Sequence, residues 1–527
     1  MKTYQAISTR RTSQTKPIVG KKMAANSGGG FSFAVDDWKR LDRFLVLGSA
    51  SGTYYVRERE LTKDNAACVL RCIQLDGVRT VNRIVEISES GRAPKNDQAL
   101  FALAMCCAGS EETKNAAFAA LPKVARIGTH LFHFASYVEQ FRGWGRGLTS
   151  AVKNWYNSKP VDRLAYDAIK YQSRDGWAHR DLLRLAHPKT SDAARNALYK
   201  WVVNTEVISG LHEIVMAFES AKKAQTAKGI VNLIVKYNLP RECIPTQFLN
   251  DANVWEALLE KMPMEAMTRN LAKMTAVGLI KPMSSAMNTV VSALQDSAAI
   301  KKSRLHPFKL LTALKIYAQG HGEKGKLEWT PVPQVADALN DAFYAAFQNV
   351  EPTGKRYVLG IDCSGSMTWP ENNLSACGNM QAREGAAAMA LITASREKNY
   401  AIMGFSGSFM PLSISPRQRL DDVCSSIGRL DAGSTNCSLP MLWAMKNKIQ
   451  ADVFIVYTDN ETNYRGSIHP CQALQQYREK TGIPAKLIVC GMTATEFSIA
   501  DPNDGGSLDV VGFDTATPQI ISDFVAE

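Results

Sequence analysis

The 527 residues exceed what one hydrophobic core usually organises, and 45% hydrophobic with 21% charged residues is the composition of a soluble globular protein, so two or more domains are expected. No apolar run approaches a membrane span; Ala99 to Ala108 has only the length of a core helix. The first thirty-five residues carry six Lys or Arg and no acid, yet no apolar stretch follows them, so a secretory signal is not expected.

Charge is divided unevenly along a chain of formal net charge +12. From Arg356 onward there are 13 Lys and Arg against 18 Asp and Glu, net −5, which leaves 49 against 32, net +17, for residues 1–355. A basic excess of that size is the electrostatic footprint of a nucleic-acid binder. The 11 cysteines are odd in number, and neither Cys68 and Cys72 nor Cys106-Cys107 has the spacing of a zinc framework. They read as reduced thiols, packed as small core residues of a cytoplasmic protein.

In chain order, residues 1–30 read as a basic flexible arm that ends in Ser27-Gly28-Gly29-Gly30. From Asp36 to Phe347 apolar residues recur at helical spacing, as in Leu41, Phe44, Leu45 and Leu47 and again in Leu164, Ala165, Ile169 and Tyr171, which predicts a succession of helices. Breakers at Gly77, Gly91, Gly109-Ser110, Pro160, Gly176, Pro188, Pro240, Pro282 and Pro331 separate them. Alternating strands are scarce, so 31–355 reads as an α-solenoid of stacked helical repeats.

Within that solenoid Lys170 and Arg174 stand four apart, a spacing that assigns them to one helical face able to neutralise adjacent phosphates. His187 closes a helical run with a flat ring suited to an unpaired base, although a helix-end histidine without a ligand reads equally well. His130 and His133 share a face without a third metal ligand and read as structural. Gly320 to Lys326 has the spacing of a phosphate loop, but Leu327 stands where the Mg²⁺-binding hydroxyl belongs and a helix precedes it. It reads instead as a flexible loop carrying Lys324 and Lys326 toward nucleic-acid phosphate.

After Pro352-Thr353-Gly354, taken as a hinge, the pattern changes. Short β-rich runs at Tyr357 to Ile361, Ala401 to Phe405, Val453 to Thr458 and Leu487 to Gly491 alternate with helical stretches at Ala386 to Ser395, Leu439 to Asn447 and Ala473 to Tyr477. The alternation predicts βαβ units and an α/β doubly wound, mostly parallel sheet over 356–527. Ligands of such sheets bind at the carboxyl ends of the strands. There, Asp362, Ser364 and Ser366 alternate along a turn, so one carboxylate and two hydroxyls can converge on a point. Small oxygen ligands of this kind suit a divalent cation, Mg²⁺ above others, which needs one or two carboxylates and keeps several waters.

A lone Asp-x-Ser-x-Ser turn is more often a loop or a helix cap. The order strand, Asp362-Cys363-Ser364-Gly365-Ser366, helix, Gly433-Ser434-Thr435, strand, Thr458-Asp459 is more specific. It resembles the metal-ion-dependent adhesion site of von Willebrand factor A domains. That resemblance implies Asp362, Ser364, Ser366, Thr435 and Asp459 as ligands, some through water. Asn436 follows Thr435 where relatives commonly carry an acid, a departure expected to weaken cation affinity.

Further segments fall in a fixed order: Arg43-Phe44-Leu45-Val46-Leu47-Gly48, Gly52-Thr53-Tyr54-Tyr55, Gly143-Trp144-Gly145-Arg146, Gly176-Trp177-Ala178-His179-Arg180-Asp181 running to His187, Arg304-Leu305-His306-Pro307-Phe308, and Glu351 to Arg356. Together they resemble the Ro autoantigen family of RNA-binding proteins, with its TROVE module and C-terminal von Willebrand A-like domain, and its bacterial members above all. The resemblance implies a monomeric ring of HEAT-like repeats, 31–355, closed by the A-like domain, 356–527. It implies small noncoding Y-like RNAs on the outer surface and the ends of misfolded structured RNAs in the central hole, with a 3′-to-5′ exoribonuclease as a further partner. The RNA-contacting positions it implies are Lys170, Arg174 and His187, joined by Arg146, Arg304, Lys324 and Lys326.

The function expected is therefore a noncatalytic RNA-binding scaffold for RNA quality control. No Ser-His-Asp set or second metal offers an enzyme comparable support. The alternative is a protein-binding adaptor whose metal captures a partner carboxylate; RNA binding should weaken steeply with salt, and carboxylate capture should vanish with chelator.

Overall fold

The computed structural model describes residues 23–25, 31–33, 37–47, 53–55, 66–89, 93, 95–205, 207–322, 326–368, 374, 377–430, 436–458, 468, 470–492, 500–501, 504–511 and 517–526. The chain forms two compact units, one of Met1–Arg43, Leu47–Glu60 and Asn288–Glu527, the other of Phe44–Val46 and Leu61–Met287. Most described residues are helical. The strands are β1 (Met23–Ala25), β2 (Phe31–Phe33), β3 (Thr53–Tyr55), β4 (Ser173–Arg174), β5 (Trp177–Ala178), β6 (Arg356–Asp362), β7 (Asn399–Phe405), β8 (Phe409–Pro411), β9 (Val453–Thr458), β10 (Lys486–Gly491) and β11 (Ser507–Val511).

Helix ends in the helical unit follow their capping residues. Ser110, Asp192, Thr226 and Asp251 each accept a hydrogen bond from a backbone N–H of the turn they open, and His187, Thr205 and Asn238 end helices in the left-handed conformation. The apolar run around Ala99 forms the helix Asp97–Cys106, in which every residue from Ala99 to Ala104 is fully buried. A helix apolar on all sides belongs in a core, and the same unit buries Phe132, Phe134, Trp155 and Tyr156.

The break expected at Gly77 is a kink at Asp76 (φ −161°, ψ 92°) inside the span Ala67–Glu89. Gly77 serves a close approach: a Cβ there would stand 1.9 Å from Thr113 Oγ1 and 2.7 Å from Thr113 Cβ on the helix Glu111–Val124.

In the other unit one seven-stranded sheet has the order β3-β11-β10-β9-β6-β7-β8. Neighbours are parallel throughout, except that the edge strand β8 runs antiparallel to β7. The runs of apolar residues in β6, β9 and β10 are buried nearly end to end, as strands covered on both faces must be. One cover is the alanine-rich helix Ala382–Arg396, buried from Gly385 through Ile392. Gly360 lets the helix Leu439–Lys446 come close on the strand, since a Cβ there would meet Pro440 Cγ at 2.8 Å.

Two features depart from the linear reading. β3, from the N-terminal third of the chain, pairs in parallel with β11, and Arg43 donates to the carbonyls of Asp504 (2.8 Å) and Ser507 (3.1 Å) beside it. The segment taken as a hinge is clasped: the buried Glu397 carboxylate accepts from the backbone N–H of Thr353 (2.7 Å), its hydroxyl (2.9 Å) and the N–H of Gly354 (3.1 Å). Next to it Arg356 forms a two-pronged pair with Asp452 (2.7 and 3.0 Å), which holds that carboxyl below its usual range.

Gly77→Ala should destabilise the protein by roughly 1–3 kcal/mol, the cost of overpacking two closely apposed helices. Chemical denaturation measures it, and an unchanged midpoint would mean that Thr113 can step aside.

Candidate metal centre and nucleic-acid interface

From β6 the chain passes to β7 on one side of the sheet and later returns to β9 on the other. The crevice between the carboxyl ends of β6 and β9 is therefore the topological switch point, where α/β sheets bind ligands. Asp362 ends β6 and Thr458 ends β9. The Asp362 side chain is fully buried; its Oδ2 accepts from the Thr458 hydroxyl (2.7 Å) and its Oδ1 from the Ser364 N–H (2.8 Å). Both of these donors are neutral and aim the carboxylate along the strand ends.

Beyond Ser364, itself 7% exposed, residues Gly365–Thr368 form a single short 3₁₀ turn that includes Ser366. Burial, aided by the Asp362 charge, pushes the neighbouring Cys363 thiol up to about 12. A buried, oriented carboxylate with serine beside it fits a hard divalent cation. Thr435 and Asp459 lie outside the described residues. Asn436 is buried and accepts from the hydroxyl (2.7 Å) and N–H (3.2 Å) of Ser438, so it shapes the entry to the helix Leu439–Lys446.

On the helical unit, Lys170 and Arg174 do not share a helical face. The helix Val161–Lys170 stops at Lys170, Tyr171 leaves helical geometry (ψ 78°), and Arg174 lies in the hairpin β4–β5. The hairpin turn is Asp175-Gly176 with φ of 52° and 79°, both positive as a type I′ turn requires. Turn chemistry overrode the four-residue spacing, and the dipeptide Asp-Gly was its signal in the sequence.

The two cations still lie on one short segment. Lys170 Nζ sits over the rings of Tyr166 (5.3 Å) and Tyr171 (5.5 Å). Burial opposes its charge, but the tyrosines and Glu242 outweigh it and hold the ammonium above the usual lysine range. Arg174 is exposed and pairs across the hairpin with Trp177, whose ring packs on Trp144 (5.5 Å). That packing brings the Gly143-Trp144-Gly145-Arg146 segment to the hairpin; Arg146 opens the next helix and is exposed. His187 is exposed at a left-handed helix end. Tyr166, Tyr171, Trp144 and Trp177 surround these cations, and no spacing in the sequence marks them as RNA-binding.

Arg304 and Lys326 are exposed but belong to the unit that carries the sheet, and Lys324 lies outside the described residues. His130, lowered to about 4 by burial and by Arg126, accepts from Asn96 (3.3 Å). His133 lies 2.5 Å from Asp175 and 3.6 Å from Asp97. Nine cysteines are buried, Cys424 and Cys471 half-buried.

Residues 24–232 and 235–316 match the family model of the TROVE domain, and residues 356–525 that of the Ro60 vWA domain. The chain is 41% identical to the RNA-binding protein RO60 of Deinococcus radiodurans, over 99% of this chain and 98% of that one. It is 36% identical to the RNA-binding protein RO60 of Caenorhabditis elegans, over 95% and 89%. The crystal structure of the Deinococcus radiodurans RO (RSR) protein superposes with a TM-score of 0.87 at 41% identity, covering 93% of this chain and 99% of that one.

Thr458→Val should cost about 1–3 kcal/mol of stability, because it removes a hydroxyl donor from a buried carboxylate, and Thr458→Ser should restore most of it. Equal denaturation midpoints for Val and wild type would show that the hydroxyl does not hold Asp362.

Proposed function

This chain belongs to the Ro60 family of TROVE-domain proteins, and from that premise we propose that it is a noncatalytic RNA-binding protein of a Ro-type ribonucleoprotein, active in RNA quality control or processing. The observation that carries the proposal is the segment from Lys170 to Trp177. Within eight residues it presents a lysine, an exposed arginine and a half-buried tryptophan, the lysine lying over Tyr171 and over Tyr166 of the preceding helical turn. Cations neutralise phosphate, and aromatic faces accept unpaired bases whatever their sequence. The net +17 of residues 1–355 supports the same reading, as do relatives that carry the name RNA-binding protein.

In this proposal Y-like noncoding RNA binds the outer face of the helical repeats through Lys170, Arg174 and His187, with Arg146 beside them. Single-stranded ends of misfolded RNAs occupy a separate place, the central hole of the family's ring, from which a 3′-to-5′ exoribonuclease could be supplied. In this reading the protein acts as a monomer in the cytoplasm.

The cation proposed is Mg²⁺, held by Asp362, Ser364 and Ser366 with Thr435 and Asp459. When bound it supplies positive charge at the sheet edge. Asp362 contributes the carboxylate, which Thr458 and Ser364 keep aimed at the crevice. The net −5 of residues 356–527 favours a cation and disfavours RNA there. A partner carboxylate captured by this cation is the second reading, which chelator would abolish.

Two outcomes test these assignments in the full chain. Lys170→Ala with Arg174→Ala should weaken Y-like RNA binding and flatten its salt dependence, the log–log slope falling by roughly 0.7–0.9 for each phosphate that is no longer neutralised. A single-stranded 3′ tail should be affected less, and equal losses for both ligands would remove the two-site proposal.

Mg²⁺ at about a hundred times its dissociation constant should stabilise the native protein by roughly 2.7 kcal/mol. Asp362→Ala should abolish that gain in thermal melts and leave RNA affinity nearly unchanged. A folded Asp362→Ala protein that no longer bound RNA would show that the cation cleft serves RNA binding.

A further inference from the structure

The hairpin β4–β5 that presents Arg174 has two residues in each strand, too few to hold its own shape in water. Its stem is fixed where Trp177 packs on Trp144 and where Ala178 leads into the helix His179–Ala186, the Ala178 N–H donating to Asp181 (3.0 Å). Its tip is Asp175, a non-glycine residue at positive φ.

That tip is gripped from outside the hairpin. His133 Nδ1 lies 2.5 Å from Asp175 Oδ2, and His133 Nε2 faces Asp97 Oδ1 at 3.6 Å. The ring is 13% exposed and lies nearly parallel to Tyr137 (17°, 6.2 Å between centroids). It projects from the helix Gly128–Phe141, whose Leu131, Phe132, Phe134 and Ala135 are anchored in the core. A rigid helix thus holds the turn of an otherwise marginal hairpin.

The same carboxylate is shared: while Oδ2 meets His133, Asp175 Oδ1 makes only a long, exposed ion pair with Arg174 Nε (3.8 Å). An aspartate released from His133 is free to close on the guanidinium beside it and cancel the charge a phosphate would meet.

We propose that His133 is a positioning residue for the RNA surface: by holding Asp175 against the core helix it fixes the hairpin and keeps Arg174 available to phosphate, with Trp177 beside it for an unpaired base. The inference rests on the RNA reading of this face. It adds a residue that touches no RNA itself and that the sequence presented as structural.

The test uses the full-length protein and a labelled hairpin RNA with an unpaired loop. His133→Ala should weaken binding about tenfold, the equivalent of one hydrogen bond to a charged group. His133→Asn, whose amide can donate from the position of Nδ1, should stay near wild type. In combination with Arg174→Ala, His133→Ala should add no further loss, because it acts through that arginine. Amide exchange at residues 172–177 should rise in His133→Ala and not in His133→Asn. If His133→Ala does not fold, His133→Phe keeps the ring volume without the donor and is read in the same way.

Unchanged affinity in His133→Ala beside a weakened Arg174→Ala would overturn the proposal. So would losses that multiply in the double variant, or a His133→Asn protein as weak as His133→Ala. An Arg174→Ala protein that binds as wild type would instead sink the RNA reading of this face, and the positioning role with it.

Discussion

Burying a carboxylate is costly unless its oxygens are satisfied, and at the end of β6 the Asp362 oxygens are met by Thr458 and by the Ser364 backbone. That arrangement exists only while β6 and β9 are parallel neighbours in one register, with Ile361 opposite Tyr457 and hence Asp362 level with Thr458. A slip of one residue would turn every side chain of the strand to the opposite face. Packing pins the register on both sides. Gly360 admits Pro440, and Gly404 on β7 has Cys363 Sγ 2.8 Å from where its Cβ would be. The crevice is thus a consequence of sheet order and two close approaches, with the acid placed at the one point where chain direction across the sheet reverses.

The helical unit solves a different problem. Its core is closed by large aromatic residues and by a helix buried on all sides, so polar chemistry is left to helix ends and connections. Lys170 ends one helix, His187 ends another, and Arg174 stands on the hairpin between them. Short irregular segments on a rigid frame can present cations and rings in combinations that a regular helix face does not allow. Along the sequence the basic excess lies before residue 356 and the acidic excess after it.

Much of this was legible in local sequence. The helix boundary at Gly109-Ser110 follows from a side chain that caps its own neighbours, and β6, β7, β9 and β10 from apolar runs bounded by turn residues. Where local signals competed, the weaker one misled. The spacing of Lys170 and Arg174 matched a helix, yet Asp175-Gly176 specifies a tight hairpin a few residues on. Pro352-Thr353-Gly354 has the composition of a hinge, but composition is blind to Glu397, which binds it from another element.

The family, the succession of helices, the α/β character of the last third and the candidate ligands Asp362 and Ser364 can be read from the linear chain, because each rests on neighbouring residues and short-range periodicity. Folding is what brings β3 beside β11, Thr458 to Asp362 and His133 to Asp175. Those interactions join residues distant along the chain. Their energy comes from pairing, burial and hydrogen bonds that exist only once the intervening chain has folded, and no local pattern encodes which distant partner will arrive.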